Sequence, residues 1–269
     1  MARSSAAWLS SRPLVIGMLH LPALPGSPGF DGRLDALRES VLRDAESLVA
    51  GGIENLMIEN FGDAPFFPHS VPPITLTHMT AIAEQVRSRL GVRIGINVLR
   101  NDGCGAMAVA HASGADFIRV NVLCGARVTD QGLVTGIAHD VLRLRANLRA
   151  EHIAILADVD VKHSAALAAR PIEDEVQDLV GRGGADAVIV SGSATGQAVD
   201  RTMLARVTQA ARATPVLIGS GADIETIGTL MNDAAGVIVG TSLKRNGCVS
   251  EPVDVDRVRE FVAAIRRLC

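Results

Sequence analysis

Eight short runs of aliphatic and β-branched residues recur along the chain. Each is followed by a loop bearing Gly, Asn or Asp and then by a stretch with helical spacing. The apolar runs cover residues 14–19, 55–59, 92–98, 117–122, 153–159, 187–190, 216–218 and 236–239, and they predict strands. Amphipathic stretches near 34–50, 74–90, 105–113, 137–150, 173–182, 201–213, 224–232 and 254–268 predict helices. In the first, Leu34, Leu37, Val41, Ala45 and Leu48 fall three or four residues apart with Arg and Glu between them. Several helix ends carry the same punctuation: Gly51-Gly52, Gly114-Ala115-Asp116 and Gly183-Gly184-Ala185-Asp186 place glycine where a helix stops in the left-handed region.

Strands that read as near-continuous apolar runs, alternating with helices, imply a parallel sheet covered by helices. Eight such units in 269 residues, with no linker between them, favour a closed barrel over an open doubly wound sheet. The expected fold is α/β, a single (β/α)8 TIM barrel over residues 13–269, with residues 1–12 as a flexible lead-in. A chain of this length buries roughly three-quarters of its unfolded surface and needs no staples.

Composition narrows the function. Hydrophobic residues make up 48% and charged residues 20%, but aromatic residues only 3%, with one Trp and no Tyr. That is too few rings for a base-stacking module or an all-β sandwich. The net charge of −3 is spread in both signs, which argues against a nucleic-acid surface. The four Cys form no C-x-x-C pair, so reduced thiols are expected and a zinc site is not. No apolar run reaches the roughly 20 residues that span a bilayer, and the first residues are too short and polar for a secretory signal. A cytoplasmic protein with no membrane insertion is expected, and a homo-oligomer.

In a barrel of this kind the ligand site lies at the C-terminal ends of the strands. The polar residues there are His20, Glu59, Asn60, Asn97, Arg119, Asn121, Asp158, Asp160, Lys162, His163, Ser191 and Ser193. After the fifth run, Leu156, Asp158, Asp160 and Lys162 alternate with Ile155, Val159 and Val161. Period-two geometry predicts that Asp158, Asp160 and Lys162 share the inward face. Neighbouring buried carboxylates raise at least one pKa, which makes Asp158 or Asp160 a candidate acid or base. The alternative is a buried ion-pair layer that fills the barrel top. A desolvated Lys162 is a candidate Schiff-base nucleophile.

Glu59 shares a face with Asn55 and Met57 and is expected to point into the mouth beside these groups. Glu59, Asp158 and Asp160 also form an oxygen set suited to Mg²⁺, and the choice between Mg²⁺ and no metal stays open. Asn97 and Asn121 offer amides to a sugar hydroxyl or base edge. Arg119, His163, Ser191 and Ser193 join them as substrate-binding candidates. His20 is a ligand, an acid–base group or a loop-fixing hydrogen bonder.

Two loops stand out. Residues 61–73 hold three of the six Phe and four of the eleven Pro, which suggests an ordered flap over the mouth or a subunit contact. Residues 123–135 are glycine-rich and suggest a mobile lid. Late in the chain, Gly219-Ser220-Gly221 and Gly240-Thr241-Ser242 follow the seventh and eighth runs. Barrel enzymes often bind phosphate with these two loops, where glycines admit the anion to backbone N–H groups. These six residues are the candidate phosphate site, with Lys244 as an added cation and Gly192-Ser193-Ala194-Thr195-Gly196 closing the side. The bland alternative is that the glycines only make tight turns.

The chain resembles the BtpA family in several long blocks. They include Gly17-Met-Leu-His-Leu-Pro-Ala-Leu-Pro-Gly-Ser-Pro28, Asn55-Leu-Met-Ile-Glu-Asn-Phe-Gly-Asp-Ala-Pro-Phe66 and Gly95-Ile-Asn-Val-Leu-Arg-Asn-Asp102. Phe117-Ile-Arg-Val-Asn-Val122, Ala157-Asp-Val-Asp-Val-Lys-His-Ser164, Val190-Ser-Gly-Ser-Ala-Thr-Gly196 and Gly240-Thr-Ser-Leu-Lys244 extend the likeness. The resemblance implies a barrel like those that bind ribulose phosphate. Its implications for activity diverge: a role in photosystem I biogenesis for the namesake, nucleosidase-like sugar or nucleoside metabolism for relatives. The expectation is an enzyme acting on a phosphorylated sugar or nucleoside-like molecule, by hydrolysis of a glycosyl bond or by lyase or isomerase chemistry. The alternatives are a biogenesis factor acting by protein contact and a sensor of a phosphorylated metabolite.

Overall fold

A computed structural model describes residues 7–10, 13–192 and 199–268 of the chain. Its strands and helices alternate as the periodicity predicts. They run β1 (Leu14–His20), α1 (Leu34–Ala50), β2 (Asn55–Glu59), α2 (Pro73–Leu90), β3 (Arg93–Asn97), α3 (Gly103–Ser113) and β4 (Phe117–Val120). A hairpin of β5 (Ala126–Thr129) and β6 (Gly132–Thr135) precedes α4 (Ala138–Asn147) and β7 (Ala154–Val159). Then come β8 (Ser164–Ala166), α5 (Ile172–Gln177), β9 (Ala187–Val190), α6 (Arg201–Ala211), β10 (Val216–Ile218), α7 (Ile227–Leu230), β11 (Gly236–Val239) and α8 (Val255–Arg266). The eight strands β1, β2, β3, β4, β7, β9, β10 and β11 pair in parallel and close into a barrel, with β11 returning to β1. No helix among the described residues is long and apolar enough to cross a membrane.

Two cores follow from the alternation along the strands. Outward residues such as Ile58, Ile96, Ile118 and Ile155 pack with the helices in one large cluster. Inward residues such as Ile16, Met57, Phe117, Leu156 and Ile189 form a second cluster inside the barrel. Gly95 is needed in this interior, because a Cβ there would fall inside the Phe117 ring. The barrel floor is closed by a short 3-10 turn, Ala7–Ser10, within the stretch expected to form the lead-in. Its Trp8 ring sits 5.2 Å from Phe117, and the Arg93 guanidinium stacks 5.6 Å from Trp8. Leu9 is buried with the same cluster, so apolar burial outweighs the fraying expected of a terminus.

The glycine-rich segment after the fourth barrel strand folds as a hairpin. Thr129 and Gly132 pair across Asp130 and Gln131, a two-residue hairpin connection. β8 adds to β5 antiparallel, completing a three-stranded sheet over the mouth side of the barrel. The local signal was present: Arg127-Val-Thr and Leu133-Val-Thr alternate as strands do. Val134 is buried with Val122 and Val161, which fastens the hairpin to the strand ends.

Candidate functional site

The inward face turns polar at the C-terminal ends of the strands. His20, Glu59, Asn97 and Arg119 are consecutive register partners on β1, β2, β3 and β4, so their side chains enter the mouth side by side. Asp158 arrives from β7 beside Arg119. Its carboxylate accepts from Arg119 Nε at 2.9 Å and Nη2 at 2.8 Å, and from Asn121 Nδ2 at 3.0 Å. Asn97 in turn donates to Asn121 Oδ1 at 3.0 Å and to the Arg119 carbonyl at 3.1 Å. A fork of this kind satisfies two buried charges at once. Arg119 and Asp158 thus take the ion-pair alternative, with Asn97 and Asn121 as supports.

Above this layer opens a cavity of about 560 Å³. Glu59, His20, Lys162 and His163 line it, together with all six residues expected to hold phosphate. The second loop contributes Phe61 and Phe66, so the expected flap does border the mouth. Asp63 anchors that loop by accepting from the Leu24 backbone N–H at 2.8 Å.

Burial dominates the chemistry of this cavity. Desolvation raises the Glu59 carboxyl above its ordinary range, although the Arg119 and Lys162 charges pull the other way. Desolvation, with the positive charges of Lys244, Lys162 and Arg119, lowers His20 to about 3, so its imidazole is neutral near neutral pH. The Lys162 ammonium is likewise held below the usual lysine range by burial and by Arg119. His20 Nε2 lies 3.9 Å from Glu59 Oε1, while its buried Nδ1 has no hydrogen-bond partner.

The two glycine-rich loops are joined to each other. Ser242 Oγ donates to the Ala222 carbonyl at 3.0 Å, and Arg257 Nε donates to the Ser242 carbonyl at 2.8 Å. Ser220 Oγ is buried without a partner. Gly240 has no room for a side chain, since a Cβ would come within 2.7 Å of His20 Cε1. The loop is therefore pressed directly against the polar layer.

Several expected members lie elsewhere. β7 ends at Val159 and Asp160 takes a left-handed φ of 53°, so period-two alternation stops one residue too early to carry it inward. Asp160 is exposed and pairs with Arg127 at 2.7 Å, under the hairpin. Glu59, Asp158 and Asp160 consequently do not converge, and no group of three or more His, Cys, Asp or Glu among the described residues is placed to hold a metal. Lys244 faces α1, donating to Asp44 at 3.1 Å and to the Glu251 carbonyl at 3.0 Å, so its charge is not directed at the glycine-rich loops as expected. Ser191 has a buried, unpartnered Oγ against Gly219 and lines a recess that adjoins the cavity at Val161 and Lys162. Asn60 accepts from the Leu99 N–H at 2.7 Å and fastens two loops. Ser193, with the segment 193–196 expected to close the side, lies outside the described residues.

Two basic residues of the cavity wall lie outside the strand-end candidates. Arg100 follows β3 by three positions, past the strand end itself, although it stands in the block 95–102. Its Nη2 donates to the Lys162 carbonyl, which ties the two loops together. Arg257 reaches the cavity from the first turn of α8, and no local pattern links that helix to a mouth lined by other strands.

Comparison with known proteins places this geometry. The BtpA family profile matches residues 11–267. The chain is 46% identical over 251 residues to the photosystem I biogenesis protein BtpA of Synechocystis sp., covering 93% of this chain and 87% of that one. It is 44% identical over 257 residues to an uncharacterized protein of Thermococcus kodakarensis, covering 96% and 97%. Among solved structures, phosphoribosyl anthranilate isomerase of Thermococcus kodakaraensis superposes with a TM-score of 0.58 at 16% identity, over 94% of this chain and 99% of that one. Orotidine 5'-phosphate decarboxylase of Pyrococcus horikoshii gives 0.56 at 13% identity, over 93% and 99%. At such identities these likenesses establish the barrel fold alone.

Proposed function

The chain belongs to the BtpA family, and on that premise we propose that it is an enzyme acting on a phosphorylated sugar or nucleoside-like small molecule. The observation that carries this reading is one cavity with two unlike walls. Glycine-rich loops with the unpartnered Ser220 hydroxyl form one wall, and the desolvated Glu59 and His20 adjoin it. Gly219, Ser220, Gly221, Gly240, Thr241 and Ser242 hold the phosphate, and Arg257 adds a positive charge behind them. The names of the two solved neighbours, both of which refer to phosphorylated substrates, are consistent with this assignment.

Glu59 is the proton-transferring group. Burial raises its pKa above the ordinary carboxylate value, which makes it a stronger base than an exposed carboxylate and suits general catalysis. The neutral His20 imidazole can offer a hydrogen bond to a carbonyl oxygen without releasing a full proton. These roles favour isomerase or lyase chemistry next to a carbonyl over nucleosidase chemistry. Glycosyl hydrolysis generally uses two carboxylates across the sugar, and Asp158 is turned into its pair with Arg119.

An assembly factor acting by protein contact is the second reading, and one feature favours it. Val128 and Leu133 are register partners on the outer face of the added sheet and are half-exposed, as is Leu167 beyond it. The test is deuterium exchange and turnover with a panel of aldose, ketose and nucleoside phosphates in D₂O. Exchange into one member, reduced about 10²- to 10⁴-fold in Glu59→Gln, is the expected result. Thermal stabilisation by a phosphate ester without exchange or turnover identifies a sensor instead. Neither effect, together with loss of a co-purifying partner in Leu133→Asp, identifies the assembly factor.

A further inference from the structure

Opposite the phosphate loops the cavity carries positive charge that the protein leaves unanswered. Around the closed barrel, β3 stands four strands from β10, diametrically across the mouth. Arg100 follows β3 and is 7% exposed, yet its Nε is buried without a hydrogen-bond partner. Lys162, joined to Arg100 through its backbone carbonyl, carries no ammonium hydrogen bond or ion pair among the described residues. The other charges of the cavity are already committed. Arg119 is matched by Asp158, Arg257 holds the Ser242 carbonyl, and Asp223 Oδ1 accepts from the backbone and hydroxyl of Thr226. Two carboxylates remain near Arg100: Asp130 on the hairpin, which is exposed to solvent and accepts from Gln131, and Glu59, whose charged form burial disfavours.

A guanidinium and an ammonium removed from water without a matching anion are costly. A guanidinium with an open Nε edge presents the geometry that carboxylates occupy. We propose that Arg100 and Lys162 form a second anion subsite that binds a carboxylate of the substrate, so that the ligand is a phosphorylated acid spanning the mouth. The proposal rests on the phosphate site of the preceding reading for one end of the ligand only. Phe61 and Phe66 would cover the carbon skeleton between the two charged ends.

Two ligands that differ only at the second end test this. 3-Phosphoglycerate and glycerol 3-phosphate share the phosphate and differ by a carboxylate against a hydroxymethyl group. Binding is followed by calorimetry and thermal shift. The expected result is a preference of roughly 10- to 100-fold for 3-phosphoglycerate, the range of a charged hydrogen-bonded contact. Arg100→Gln should abolish most of that preference and leave the glycerol 3-phosphate affinity unchanged, and Lys162→Met should also reduce the preference. Arg100→Lys, which keeps the charge and loses the fork, should retain part of it. Equal affinity for the two ligands, or a preference that survives both replacements, overturns the proposal. Glycolate, which lacks phosphate, probes the second subsite alone. Stabilisation by glycolate that Arg100→Gln removes supports the subsite even if every phosphate ester fails, whereas failure of glycolate and of the preference together sinks it. Far-UV circular dichroism and a cooperative unfolding transition check that each variant is folded.

Discussion

The two ends of the barrel interior are built on opposite rules. At the floor, Phe117, Met57, Leu156 and Ile189 fill the space, and Trp8 seals it from below. At the mouth, inward positions of the same strands carry Glu59, Asn97, Arg119 and Asp158, and His20 Nδ1, Arg100 Nε and Ser220 Oγ are buried without partners. The floor is filled by apolar contacts and leaves one polar atom, Asn55 Oδ1, without a partner, whereas several unpartnered groups gather at the mouth. Unsatisfied polar groups of this kind cost about 1–3 kcal/mol each. A protein concentrates them where a ligand completes them, so the contrast separates the stabilising end from the binding end.

The floor offers the largest effect. Phe117→Ala should lower unfolding free energy by about 3–5 kcal/mol, since the ring contacts Trp8 and covers Gly95 on the neighbouring strand. Chemical denaturation measures this, and ligand affinity of the folded fraction should be unchanged. A loss below about 1 kcal/mol would mean that the floor is not the well-packed end.

The polar layer comes next. Asp158→Asn removes the charge facing Arg119 and should cost about 1.5–3 kcal/mol, the range for a hydrogen bond to a charged group. Both binding and any activity should fall with it, because Arg119 lies in the cavity wall. The comparison would break if Asp158→Asn left stability untouched but abolished turnover, since Asp158 would then be a reacting group and not a support.

Much of this division could be read from the sequence, and the exceptions share a cause. The strands at 55–59, 187–190, 216–218 and 236–239 and the helix at 34–50 fall where the periodicity puts them, because burial on one or both faces writes itself into local pattern. The glycine loops were legible for the same reason. The helix expected at 224–232 shrinks to Ile227–Leu230 because Asp223 accepts from Thr226 and turns the chain first. Asp160 was misplaced when alternation was extended past the end of β7. Lys244 was misplaced because its partner, Asp44, is 200 residues away. Arg100 and Arg257 were missed on the same ground: their role depends on which loops the closed barrel brings together.

pH provides a smaller and signed test of the mouth. His20 is held at about 3 against an ordinary 6.5, so between these values the unfolded chain binds more protons. Stability conferred by the neutral folded imidazole is present above pH 6.5 and is lost as pH falls towards 3. Glu59 works in the opposite sense. Its folded pKa is raised, so the folded form binds more protons above 4.5, and stability falls as pH rises from there through the folded value. Between pH 6.5 and 5, His20→Gln should therefore flatten the decline on acidification. Glu59→Gln should steepen it and should raise stability at pH 7 and above. Melting curves of the three proteins across that window read the slopes, and parallel slopes would remove the buried mouth as their source.

The smallest expected effect discriminates most sharply between a turn and a binding site. Ser220 Oγ is buried and bonds nothing, so in the free protein it contributes desolvation and no compensating contact. Ser220→Ala should leave the free protein as stable as before or more stable by up to about 1 kcal/mol, since alanine fits where serine does without the unmet hydroxyl. If the hydroxyl meets a phosphate oxygen, the same change should weaken glycerol 3-phosphate or inorganic phosphate by about 0.5–1.5 kcal/mol, roughly two- to tenfold in Kd. A purely structural serine moves stability and binding in the same direction or moves neither. Opposite signs, read from denaturation and from titration of one protein, are the signature of a group kept unsatisfied for its ligand. An unchanged affinity beside a stabilised free form would leave the loops at Gly219 and Gly240 as tight βα turns.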